Sequence, residues 1–128
     1  MREIKFRAWN KVQEQMVWDE LVVSAGGRIF EFNYGLMLAV PPVDDYILMQ
    51  FTGLKDKNGK EIYEGDLLKL EYPKKEPWSV WQVGWDSELG RWCGVYDTGE
   101  VGINLSRKQI AGVEVIGNIY ENSELLRV

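Results

Sequence analysis

In several stretches of this chain apolar residues recur at every second position, and the runs are short and bounded by polar turns, glycine, proline or an Asn-Gly pair. A period of two lines one face of an extended strand, whereas a buried helix needs apolar residues three and four apart. In "SVWQVGW", Trp81, Val83 and Trp85 share a face, and Val80, Gln82 and Gly84 take the other. In "EIKFRAW", Ile4, Phe6 and Ala8 oppose Lys5 and Arg7, the pattern of a half-buried strand. Val101, Ile103 and Leu105 fall together in the same way.

The turns between these runs set the connections. "NKVQEQ" turns "MREIKFRAW" back into "MVW", which places Trp9 and Trp18 across a first hairpin. Gly26-Gly27 joins "LVVS" to "RIFEFNY". "GLMLAVPP" fits an extended segment or an edge strand, because Pro41 and Pro42 forbid a central strand beyond Val40. "DDYILMQF" fits either a short helix capped by Asp44 or Asp45, or a strand. "KDKNGK" carries the Asn58-Gly59 hairpin signal, and Asp56 is placed to accept from amides two residues on. "YEGD" is a second tight turn through Gly65 and Asp66. Further on, "SRKQIAG" suggests a helical turn capped by Ser106. "VEVIGNIY", apolar on both faces, suggests a central strand, and "ENSELL" a short terminal helix begun at Asn122 or Ser123.

These readings give a mainly β fold with short helical turns. Two small β-lobes, 1–50 and 51–128, pack as one domain with a soft boundary near Met49 to Thr52. The second has the rhythm of a small SH3-like barrel.

The residue inventory narrows the chemistry. The chain has 128 residues, 45 % of them apolar, enough for a real core. It has no histidine, which removes His-based nucleophilic dyads and the common His-ligated zinc sites. Its one cysteine, Cys93, lies in the strand "RWCGVY" and reads as a small buried apolar residue of a protein from a reducing compartment. The charged N-terminus is not a signal peptide, and no apolar run reaches the roughly 20 residues of a membrane span. The expected location is therefore the cytoplasm, with no membrane partner. A net charge of −5 disfavours a large nucleic-acid footprint.

"MQFTGLKDKNGKEIYEGDLL" is the densest functional-looking stretch. Its carboxylates Asp56, Glu61, Glu64 and Asp66 could suit a hard cation, but Gly59 falls two positions early for an EF-hand, and Lys55, Lys57 and Lys60 oppose a divalent ion. No P-loop spacing and no nucleophile–base pair occurs, so neither a metal, a cofactor nor an enzymatic activity is expected. Asp56, Asn58, Gly59, Gly65 and Asp66 read as turn residues. Of the six tryptophans, Trp81 and Trp85 are expected in the core. Trp78, after Pro77 and of opposite strand parity, is the candidate exposed contact. With Lys74, Lys75, Arg107 and Lys108 it could form a surface for single-stranded nucleic acid.

The same "TGLKDKNGKEIYEGD" block, with "MREIKFRAW" at the start and "VEVIGNIYENSELL" at the end, resembles the YopX family of phage and prophage proteins. The resemblance implies a small β-protein of a temperate phage or integrated element, and it carries no catalytic or ligand residues over to this chain. The expected function is a non-catalytic phage accessory protein that binds a phage or host protein in the bacterial cytoplasm, with a homo-oligomer as one form it could take. A nucleic-acid-binding module on the aromatic and basic surface of the second lobe is the alternative.

Overall fold

The alternating segments form strands, and every pairing among the described residues is antiparallel. The computed structural model describes residues 3–18, 21–23, 26, 29–33, 36–39, 46–70 and 79–127. The Pro41-Pro42 break, the Asp44 or Asp45 cap and the loop holding Lys74, Lys75 and Trp78 lie outside them. The chain divides into two compact units, Glu3–Gln50 and the residues from Phe51 on.

The first unit begins with the hairpin β1 (Phe6–Asn10) and β2 (Gln15–Val17). Its turn is built by Asn10, whose Oδ1 accepts from the amides of Val12 and Gln13, each at 3.0 Å. β1 lies between β2 and the start of β6 (Tyr46–Lys55), with Ala8 opposite Val17 on one side and Leu48 on the other. Two expectations for this hairpin are corrected. Arg7, expected on the polar face, is only 2 % exposed. Its guanidinium sits 5.1 Å from the centre of the Trp18 ring, a cation–π contact over an otherwise exposed indole. Trp9 faces Met16 across the hairpin, not Trp18. β3 (Leu21–Val23), β4 (Ile29–Asn33) and β5 (Leu36–Ala39) form a three-stranded sheet with β5 at its edge.

β6 is a single strand of ten residues, so "DDYILMQF" resolves as extended chain from Tyr46. Its end pairs with β7 (Glu61–Tyr63) through an irregularity between Phe51 and Lys55, where Gly53 takes φ +84°. β8 (Asp66–Leu70), β9 (Ser79–Asp86), β10 (Arg91–Val95), β11 (Val101–Asn104) and β12 (Val113–Asn118) make a five-stranded sheet in the order β11-β10-β9-β8-β12. Ile62, Leu68, Val83, Ile110, Val113 and Val115 form its buried core, with Leu54, Leu70, Trp92 and Leu105 packed against it.

β12 is not central, as its two apolar faces suggest, but stands at the end of this order and among the described residues pairs with β8 alone. Trp81 is buried as expected, and Trp85 is not: it is 51 % exposed. Cys93 is buried, and its thiol donates to the Gly84 carbonyl at 3.6 Å. The segment after β11 forms a 3-10 helix, Gln109–Gly112, whose N-cap is Lys108 and not Ser106. A second 3-10 helix spans Ser123–Arg127. Among the described residues no helix is long and apolar enough to cross a membrane.

Candidate functional site

The acidic signature is a backbone clasp. The loop Asp56–Lys60 closes on itself, with the Asp56 amide donating to the Lys60 carbonyl at 2.8 Å and Gly59, at φ +81°, donating to the Asp56 carbonyl at 3.0 Å. Asp56 Oδ1 accepts from the amides of Asn58 at 2.8 Å and Lys60 at 2.9 Å. Asp56 Oδ2 then reaches the Val115 amide at 2.9 Å, a partner 59 residues away. Beside it the Lys57 amide donates to the Val113 carbonyl at 3.0 Å. The loop therefore covers the outer edge of β12. An edge strand whose amides and carbonyls stay open invites foreign strands, and here a carboxylate and an amide occupy them.

The second turn repeats the device. Asp66 Oδ2 accepts from the Tyr63 amide at 2.7 Å. Gly65, at φ +85°, donates to the Val83 carbonyl and accepts from the Ile119 amide. Asp66 itself pairs in register with Asn118. "KDKNGKEIYEGD" and "VEVIGNIY", far apart in sequence, thus form one junction. Asp56 and Asp66 are both buried and turned to different backbone amides, not to a common centre that could hold a cation.

Two exposed features flank this framework. Trp85 and Trp92 face each other across β9 and β10, with ring centres 5.0 Å apart and planes at 76°. Trp92 rests on the core, Trp85 projects beyond it, and Leu89 in the following turn is 63 % exposed. The second feature is an open groove of about 400 Å³ between the end of β6 and the first 3-10 helix. Leu54, Ile110 and Ala111 contribute apolar lining, and Lys55, Lys57 and Arg107 bring positive charge. Lys57 Nζ stands 3.9 Å from Glu114 Oε2.

Of the residues expected to form a contact surface, Arg107 and Lys108 are exposed on the turn before the 3-10 helix. Lys74, Lys75 and Trp78 fall outside the described residues. The grouping of Arg107 with Lys55 and Lys57 has no signal in local sequence, because it depends on where the loop docks. The exposure of Trp85 had one: it is followed at once by "DSELG", so it stands where the strand leaves the covered part of the sheet.

Two solved structures are similar over nearly the whole chain. Protein EF1440 from Enterococcus faecalis matches with a TM-score of 0.72 and 29 % identity, covering 98 % of this chain and 99 % of that one. Protein YopX from Bacillus subtilis matches with a TM-score of 0.68 and 25 % identity, with the same coverage of 98 % and 99 %. Among curated proteins no relative matches. The family model described as YopX protein matches residues 5–127, and the chain belongs to the YopX family.

Proposed function

We propose that this protein is a non-catalytic interaction module that binds another protein through the Trp85 end of the β9–β10 hairpin. The reading rests on one observation: a tryptophan half exposed beside a second tryptophan that is anchored on the core. An indole costs little side-chain entropy to immobilise and presents a large apolar face, so anchored aromatics dominate binding energy at protein interfaces. Leu89 enlarges the same end. The absence of histidine and the engagement of Asp56 and Asp66 by backbone amides favour binding over catalysis. A phage or prophage role inside the bacterial cytoplasm follows the family resemblance, and we read the curled five-stranded sheet as SH3-like.

The test is affinity capture from lysate of the bacterial host with the intact protein and with W85A/L89A, each with and without nuclease. A protein retained by the intact chain, kept after nuclease and lost with W85A/L89A, supports the reading. Equal capture by both forms, or a partner lost on nuclease treatment, overturns it.

A further inference from the structure

We propose that the groove between the end of β6 and the first 3-10 helix is a second binding site, for an acidic peptide segment that carries an aliphatic side chain. Its chemistry has two parts. Leu54 and Ile110 belong to the core and its margin, so the apolar lining is held rigidly and continues into the packed interior. Above it stand Lys55, Lys57 and Arg107. Among the described residues the groove's lining carries one carboxylate, Asp56, and its oxygens already accept from the amides of Asn58, Lys60 and Val115. Among the described residues no carboxylate lies within ion-pair distance of Lys55 or Arg107. In a chain of net charge −5, Lys57 is balanced by Glu114 at 3.9 Å, and Lys55 and Arg107 leave the groove locally positive against the one carboxylate of Asp56. Such a local positive charge selects an anionic ligand and steers it in.

An acidic peptide fits better than nucleic acid. The lining is aliphatic, whereas single-stranded nucleic acid is held by stacking on aromatic rings. A long polyanion also meets the repulsion of the remaining surface, while a short acidic segment meets only the groove. A glutamate-flanked leucine would place carboxylates on Arg107 and Lys55 and its side chain on Leu54 and Ala111.

The experiment is fluorescence anisotropy on the full chain with a labelled peptide of sequence EELEE. Controls are QQLQQ, EEGEE and an oligothymidylate of equal charge. Saturable binding of EELEE is expected, weakened about tenfold or more in K55E/R107E and in QQLQQ, and by a smaller factor in EEGEE. K11E, an exposed charge reversal in the first unit, is expected to stay within about twofold and so reports the effect of overall charge alone. Circular dichroism of K55E/R107E confirms the fold. No saturable binding at millimolar peptide, binding unchanged in K55E/R107E, or oligothymidylate bound as tightly through the same residues would each overturn the proposal. The site is separate from Trp85, so failure here leaves the other reading standing.

Discussion

Asp56 illustrates how one side chain can fix both a loop and a sheet edge. Replacing it with alanine removes the acceptor for three backbone amides at once, one of them the buried bond to Val115. Hydrogen bonds to a charged group are worth about 1.5–3 kcal/mol, and the orphaned amide adds its own desolvation cost. Asp56→Ala is expected to lower the unfolding free energy by about 3 kcal/mol, read from urea unfolding. Asn58→Ala, which leaves those acceptors in place, should cost far less. A second comparison uses one substitution at two glycines. A Cβ at Gly94 would stand 2.6 Å from Ile103 Cγ2 and 2.9 Å from Trp81 Cβ, whereas one at Gly26 meets nothing within 4 Å. Trp81 Cβ cannot swing aside as the tip of a flexible side chain can. Gly94→Ala should therefore destabilise by about 1–3 kcal/mol, and Gly26→Ala should be close to neutral in the same assay. Cys93 gives a third handle. Burial, then the Asp86 carboxylate, pushes its thiol pKa up, with Arg91 opposing. The folded thiol thus holds its proton more tightly than the unfolded one. That difference favours folding below the ordinary thiol pKa and is lost as pH rises through the folded value. Native protein should react with a disulfide reagent far more slowly than urea-unfolded protein, and a rate equal to that of a free thiol would contradict the burial.

At the level of elements, the edge of β12 is the feature that sequence pattern misreads and structure explains. Two apolar faces argue for a strand flanked on both sides, and among the described residues β12 has a neighbouring strand on only one. The other side is supplied by the Asp56 loop, which satisfies the Val115 amide and the Val113 carbonyl without being a strand. Hydrogen exchange should find the Val115 amide strongly protected although it faces outward from a terminal strand. The Asp56→Ala protein should lose that protection while the Leu68 amide, in β8, keeps most of its own. Uniform loss across the sheet would mean that the clasp supports the whole unit and not this edge. The local half of the arrangement was legible: Asp, Asn and Gly at these spacings dictate a turn with an aspartate bonded two residues on. The distant half was not, because nothing near Asp56 encodes Val115. The same limit applies to Arg7 and Trp85. Strand parity assigns a side chain to a face, but burial depends on what lies over that face. Arg7 is buried with the Trp18 ring over its guanidinium, while Trp85 runs past the covered region on a face that buries Val83.

For the whole molecule, charge and exposed apolar surface act against each other. The net charge of −5 and a pI near 4.8 make copies repel one another at long range around neutral pH. The Trp85 and Leu89 end is apolar and open, so it is available to a partner and also to a second copy. As pH falls toward 4.8 the long-range repulsion vanishes, and the balance passes to the apolar contact. Sedimentation velocity should show the intact chain associating between neutral pH and its pI, with W85S/L89S remaining smaller under the same conditions. Both forms must first show unchanged far-ultraviolet circular dichroism, since acid unfolding would also expose apolar surface. If the substituted protein associates as readily as the intact one, the Trp85 end is not the contact the molecule uses, and the interface must be sought elsewhere. If association is lost with W85S/L89S, copies of the chain meet through the same end that is proposed to bind a partner, once charge repulsion is removed.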